Sequence, residues 1–483
     1  MKWEKLSHLS AKKIRKLQEK QLKRMVRYLL PFHPHYRDVF AKAGLSFKDI
    51  NTLDDLKKIP FCSKEEIAPT AENPARPKDF ILQPTEELIK QNWPKYRLAK
   101  ILWQKFTNPK GLERQLKWEF SPVHIIFTTG RTALPTPFTY SKRDLGMLSE
   151  GGARMMDVLR VTDKDIAINA FPYVPHLAFY QALFGLIEAG LVSLQTGGGK
   201  TMGTNRILDA LVSMKASVYV AIPGYAYHSL SEAVDQKRDL SKVTLVLMGG
   251  ERVPPGLREK LRKMLEKRGA KKPRILNTYA FTEGKVAWVQ CNEKSGYHLY
   301  PDMEYVEIVD EKGNRVPDGE RGEIVYTALD WRGTMVVRYK TADTGRIIPG
   351  PCKYCGRTVP ILDSDIQRKS EMKEFNLTKI KGTLVNLNLL FPILSGSKDV
   401  DEWQVEIRKK GNDPFGLDEF VIYVAAREGT KWDKVEAKLK KEIFNQMEVT
   451  PDIEKMDKEE LLKRLGMETE LKEKRIIDIR PKG

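Results

Sequence analysis

The chain has 483 residues, 41% of them hydrophobic and 30% charged, a balance that describes a folded globular protein and not a disordered one. Lysine and arginine exceed aspartate and glutamate by 83 − 64 = 19, an excess that suits polyanionic substrates and equally nucleic acid or a membrane surface. No apolar run reaches the roughly 18 residues of a membrane span, and Lys2, Glu4 and Lys5 interrupt the start where a signal peptide needs an apolar stretch. A cytoplasmic protein of two or three domains is expected.

The first predicted element is a helix from Ala11 to Leu30, with Ile14, Leu17, Leu22, Met25, Val26, Leu29 and Leu30 at helical spacing. Its basic residues fall on the opposite face. They read as a solvated face, because single-strand binders interleave several aromatic platforms and only Tyr28 stands among these charges. From Ala68 to Phe120 the chain is punctuated by proline and carries Trp93, Trp103 and Trp118. Its amphipathic pieces predict a packed helical insertion.

From Val123 apolar runs alternate with helical patterns. Ile125–Phe127 precedes a helix opening at Ser141; Ile166–Phe171 precedes one from about His176 to Ala189. Leu191–Gln195, Val218–Ile222, Leu245–Met248 and Ile275–Tyr279 continue the series, with helices from Thr204 and over Pro255–Lys267 between them. Such alternation predicts an α/β protein with a mostly parallel sheet flanked by helices. Beyond Tyr300 shorter strands and turns at 311–314 and 317–319 predict a β-rich section, antiparallel or barrel-like. A boundary near residues 361–371 sets off a small α+β domain, giving domains of 1–366 (with the insertion at 68–120) and 367–483.

Several strand ends carry chemistry. Thr128-Thr129-Gly130-Arg131-Thr132 offers hydroxyls, backbone N–H groups and a cation, the makings of an anion cradle, though a plain loop has the same composition. Thr196 to Thr201, with three glycines before Lys200, lacks the glycine that a nucleotide P-loop requires where Leu194 stands, and reads as a tight turn. Gly249-Gly250-Glu251 would let a flat ring approach the backbone. The stretch Asn277 to Glu283 ends a strand with Thr282 and Glu283 side by side, oxygens suited to Mg²⁺ and a phosphate. Asp343 closes a β-rich run beside Gly345 and could take the vicinal hydroxyls of a ribose. Cys352-Lys-Tyr-Cys355-Gly356 has the form of a metal knuckle, and Cys291 and His298 are the natural complement for one Zn²⁺; an empty or redox-active pair is the alternative. Cys62 stands apart as a packed side chain.

Taken in this order, the pieces resemble the phenylacetate–CoA ligase family of adenylate-forming enzymes over most of the chain. The resemblance implies the adenylate-forming fold, a large N-terminal domain and a small mobile C-terminal one. It implies a phosphate loop at Thr128, Thr129, Gly130 and Arg131, an adenine side at Gly249, Gly250 and Glu251, and Tyr279 in the motif ending at Glu283. Asp343 falls on the ribose-binding aspartate, Arg368 on the hinge arginine, and Lys472 on the C-terminal lysine that, with Thr282 and Glu283, serves catalysis. Tyr173, His176 and Phe281 fall on the acid-binding side, and Cys355 to Thr358 on the Cys-Gly-Arg-Thr signature. Phe127, Gln367 and Leu471 depart from the family's pattern and mark a divergent member. The implied reaction joins an aromatic, arylacetate-like acid to coenzyme A through an acyl-adenylate, using ATP and Mg²⁺ on Glu283, with a structural Zn²⁺. No nucleic-acid partner is expected, and the oligomeric state, a homodimer included, stays open. Transfer of the acyl group to a carrier protein, or a zinc-containing basic nucleic-acid-binding protein on a ligase scaffold, are the alternatives.

Overall fold

A strand whose side chains are buried on both faces needs helices on both sides of its sheet, and Val218–Ala221 and Leu245–Met248 are buried at every position. In the computed structural model, which describes residues 1–128, 136–251, 253, 255–368, 378–380, 383–385, 387–409, 418–447, 449–466 and 473–480, these strands form the centre of a sheet. The chain divides into two units. One comprises residues 1–165, 174–193 and 278–366; the other comprises 166–173, 194–277 and 367–483.

In the second unit, Ile166–Pro172, Val218–Ala221, Leu245–Met248 and Arg274–Asn277 run parallel and side by side. Helices Thr204–Ser213, Pro223–Asp235 and Pro255–Lys267 supply the crossovers. Gly197 and Gly198, at φ 71° and 81°, make the tight glycine turn expected there. The same unit holds a four-stranded sheet in which Val400–Lys409 pairs antiparallel with Asp418–Ala426 and parallel with Ile476–Asp478. Trp403, Val405, Ile407, Phe420 and Ile422 form its core with Leu439 and Ile443 of helix Trp432–Met447. Lys260 donates to the Val400 carbonyl at 2.9 Å, and Tyr227 donates to Asp401 at 2.9 Å, joining this sheet to the crossover helices.

In the first unit, Ser141 caps helix Lys142–Leu159 through a capping box with Asp144. That helix packs on Leu177–Glu188 at Gly152 and Gly185, where a Cβ on either would collide with the other's backbone. Glu304–Val309, Gly322–Ala328 and Tyr339–Gly345 form the expected antiparallel section. The N-terminus is woven into this unit. Trp3 and Leu6 are buried, the Trp3 indole donates to Asp157 at 2.7 Å and meets Tyr300 edge-on. The Thr358 hydroxyl donates to the Leu9 carbonyl at 2.6 Å, and its amide to Ser7 at 2.8 Å.

The insertion is helical, over Glu86–Asn92, Lys95–Thr107 and Pro109–Phe120, but it is packed only in part, through Phe80, Leu82, Trp93 and Phe120. The first two helices bury no residue, and Trp103 and Phe106 are 70% and 86% exposed. Amphipathic spacing reports that a helix has an apolar face; it does not report that the fold covers that face.

One buried acid has a measurable consequence. Glu304 accepts from the Trp288 indole and the Tyr300 amide, both at 2.6 Å, while its other oxygen is buried without a partner among the described residues. Burial pushes its carboxyl up to about 8, against the pull of those two hydrogen bonds. A carboxyl raised on folding favours the native state while protonated, so its contribution falls as pH climbs from about 4.5 to about 8. Glu304→Gln removes that slope. The variant's stability advantage should therefore widen between pH 5 and pH 8, by on the order of 1–4 kcal/mol, in paired denaturant titrations. Parallel pH profiles would refute it.

Candidate active site

Strand Arg274–Ala280 leads into a single 3-10 turn, Thr282–Gly284, and the chain returns through Ala287–Val289. Glu283 leaves this turn half-buried, and the Tyr339 hydroxyl donates to its carboxylate at 2.8 Å. Phe281 folds back on Gly284 and packs against Trp288 and Tyr326, at 5.5 and 5.3 Å between ring centres.

What holds the turn is Lys285, the next residue but one after Glu283. It lies in the left-handed region at φ 61°, wholly buried. Its ammonium donates to the Thr139 carbonyl at 2.8 Å and pairs with Asp144 at 3.2 Å, beside the rings of Tyr140 and Trp331. Burial lowers its pKa and Asp144 opposes that shift. Asp144 also accepts the amides of Arg332 and Gly333, at 2.8 and 2.6 Å, so the buried ion pair is hydrogen-bonded on both sides.

Asp343 is aimed by a bulge. Glu323 pairs with Thr344 but Val325 pairs with Lys340, so strand Tyr339–Gly345 carries extra residues there, and Ala342 adopts φ 60°. Thr341 pins the distortion by donating to the Ile324 carbonyl at 2.9 Å. The Tyr279 hydroxyl then donates to the Asp343 carboxylate at 2.7 Å. Each of the two predicted carboxylates, Glu283 and Asp343, thus carries a tyrosine from the other's strand or its neighbour.

Thr128 is buried at the entrance of its loop. Its amide donates to Thr136 at 3.1 Å and its hydroxyl accepts from the Thr136 amide at 3.3 Å, pinning the two ends together. Thr129, Gly130 and Arg131 lie outside the described residues. His176 Nδ1 engages the Phe127 carbonyl at 2.9 Å, beside the same strand.

Other expected residues belong to the second unit. Gly249 and Gly250, the latter at φ 89°, follow strand Leu245–Met248, and the Glu251 carboxylate accepts the Glu473 amide at 2.9 Å. Tyr173 donates to the Gln195 carbonyl and lies against Gly197. Arg368 is exposed on the short strand Gln367–Arg368. Lys472 lies outside the described residues.

Cys291, His298, Cys352 and Cys355 converge, with their ligand atoms all within 4.8 Å of one another. Cys291 and Cys352 sulfurs are 3.5 Å apart, and Cys355 Sγ lies 3.2 Å from His298 Nε2. His298 Nδ1 faces the Val289 carbonyl at 3.3 Å, which orients Nε2 toward the thiols. A hydrogen bond from Cys291 holds the Cys355 thiol well below the ordinary thiol range, against burial. Gly356, at φ 75°, closes the knuckle by donating to Cys352. Three thiols and one imidazole fill a tetrahedral shell and fit Zn²⁺ with no open position.

Tyr339, Lys285 and Glu473 were not foreseen as parts of this arrangement. Tyr339 had a signal, since it opens the run that ends in Asp343. Lys285 had a weaker one, a lone charge before the apolar run Val286 to Val289.

The AMP-binding enzyme family model matches residues 58–329. A phenylacetate–coenzyme A ligase of Thermus thermophilus is 26% identical over 428 residues, covering 88% of this chain and 84% of its own length. The Escherichia coli phenylacetate–coenzyme A ligase is 22% identical over 430 residues, covering 87% and 84%. Among solved structures, 2-hydroxyisobutyryl-CoA ligase in the postadenylation state superposes with a TM-score of 0.75 at 19% identity, covering 99% of this chain and 92% of that one.

Proposed function

Because this chain belongs to the AMP-binding enzyme family, as a divergent adenylate-forming ligase, we propose that it joins an aromatic, arylacetate-like carboxylic acid to coenzyme A, with ATP converted to AMP and pyrophosphate. The observation that carries this reading is the pair of tyrosine-held carboxylates, Glu283 and Asp343, on the two motifs expected to bind the nucleotide.

A thiol cannot displace hydroxide from a carboxylic acid at a useful rate, so the acid is first given a better leaving group. A carboxylate oxygen bonds to the α-phosphorus of ATP as the bond to pyrophosphate breaks; the coenzyme A sulfur then attacks the acyl carbon and AMP departs. Mg²⁺, when bound, draws charge from the phosphates. Glu283 is the ligand for it, and Tyr339 keeps that carboxylate in one orientation. Asp343 accepts the ribose hydroxyls, while Thr128 to Arg131 surround the phosphates and Gly249 to Glu251 border the adenine. Thr282 shares the phosphate side, Tyr173, His176 and Phe281 border the acid, and Arg368 belongs to the hinge.

Lys472 has the role of neutralising the two anions that must meet, carboxylate and α-phosphate. Lys472→Ala should slow ATP–pyrophosphate exchange by roughly 10²-fold or more, while thioester formation from chemically made acyl-adenylate persists. Equal loss in both steps would mean a folding or docking defect, and unchanged exchange would hand the role to Lys474. For the reaction itself, AMP release is measured over a panel of aromatic and aliphatic acids with and without coenzyme A. Release requiring coenzyme A and an aromatic acid supports the proposal. Release requiring a carrier protein instead, or none with any acid, would overturn it.

We infer as well that Cys291, His298, Cys352 and Cys355 hold one structural Zn²⁺. The convergence of the four ligand atoms, with His298 oriented from behind by a carbonyl, supports it.

A further inference from the structure

The segment just before the last strand is stitched into the C-terminal sheet. Lys474 donates to the Leu465 carbonyl, Gln404 donates to the Lys474 carbonyl at 2.8 Å, and Val405 donates to the Arg475 carbonyl at 2.7 Å. Arg475 pairs with Glu402 at 2.8 Å and lies over the Trp403 ring. From this platform Glu473 reaches the parallel-sheet part of the same unit. Its amide donates to Glu251, one of its carboxylate oxygens takes Arg475, and its side chain is 7% exposed. The other oxygen is buried without a hydrogen-bond partner among the described residues. It rests on Gly224, in the first turn of helix Pro223–Asp235, where a Cβ would coincide with the carboxylate. Gly224 has no positive φ, so its backbone does not require glycine. What requires glycine there is the space that Glu473 occupies, at the end of a 13-residue helix whose dipole favours an anion.

We propose that Glu473 is a positioning residue for adenylation. Seated in the notch at Gly224 and braced by Arg475, it locks the segment following Lys472 against the Gly249–Glu251 loop. The proposal rests on the ligase reading above for its catalytic consequence, but the seat itself is a property of these residues. Removing either half of the lock therefore loosens the position needed for the first half-reaction and leaves the second, for which the mobile small domain implied by the family resemblance would take another position, without loss.

The test is a cycle of Gly224→Ala, Glu473→Ala and the double variant. Each single change should lower ATP–pyrophosphate exchange by about 10–100-fold, the range for a misplaced catalytic group. Thioester formation from supplied acyl-adenylate should stay near the wild-type rate. In the double variant Gly224→Ala should cost nothing further, since its methyl no longer meets a carboxylate. Alanine suits a helix better than glycine, so unchanged thermal stability in Gly224→Ala is the folding control. Hydrogen exchange of the Glu473 amide reads the seat without any turnover, and Gly224→Ala should speed it. Additive losses, equal losses in both half-reactions, or unchanged exchange of that amide would each overturn the proposal. Wild-type protein inert toward every acid would overturn the ligase reading alone, and the amide measurement would still decide the lock.

Discussion

Glu283→Gln is expected to lower ATP–pyrophosphate exchange by roughly 10²–10³-fold, the scale of losing one preorganised electrostatic group. Glutamine keeps the shape of the side chain and an oxygen to accept from Tyr339, so the turn and its neighbours stay in place. What it loses is the negative charge that a divalent cation needs. The defect should therefore include a higher Mg²⁺ requirement, visible as a shifted Mg²⁺ dependence. Tyr339→Phe frees the carboxylate to rotate without removing its charge, and should cost about tenfold. Full exchange activity in Glu283→Gln would take the residue out of the mechanism. The buried Lys285–Asp144 pair makes the comparison clean, because the turn is anchored independently of the carboxylate under test.

Replacing Cys352 and Cys355 together by serine should abolish metal binding and produce the largest stability loss of any change named here. Elemental analysis of wild-type protein purified without chelators should give one zinc per chain, and the variant none. Zinc binding in small metal-folded domains is worth about 10–16 kcal/mol; in a large unit that keeps its own core, several kcal/mol is the fitting scale, or roughly 10 °C in Tm. The loss should concentrate where the knuckle is tied to its surroundings, at Arg357 with Asp157 and at Thr358 with Ser7 and Leu9. Zinc retained by the double variant, or a wild type free of metal, would overturn the assignment.

Much of the fold was legible because its signals are local. Strand Leu245–Met248 and helix Pro255–Lys267 stand at their expected ends, and Ser141 opens its helix through a cap written within four residues. The residues proposed for the site were nameable from the sequence, while Thr129, Gly130, Arg131 and Lys472 lie outside the described residues. Glu283, Asp343 and the cysteines sit in short motifs whose composition shows their chemistry. Their partners do not. Tyr339 reaches Glu283 across 56 residues, and Lys285 reaches Asp144 across 141, distances over which spacing carries no information. Glu473 is the extreme case, an acid in a basic run whose place is set by a missing side chain at Gly224. The insertion was legible only in part for another reason: Tyr96, Trp103 and Phe106 are amphipathic by pattern yet exposed in the fold.

The woven N-terminus sets an order of events during synthesis. Ser7 and its partner Thr358 are 351 positions apart, so at 5–20 residues per second the first leaves the ribosome roughly 20–70 s before the second exists. Until Asp157 and then Tyr300 have emerged, Trp3 has neither of these partners, and it travels as an apolar tag on a nascent chain. The second unit runs to residue 483, and the first cannot close until residue 358 has emerged. The first unit's opening residues close over strands translated hundreds of codons later, and a ribosome-associated chaperone would meet them first.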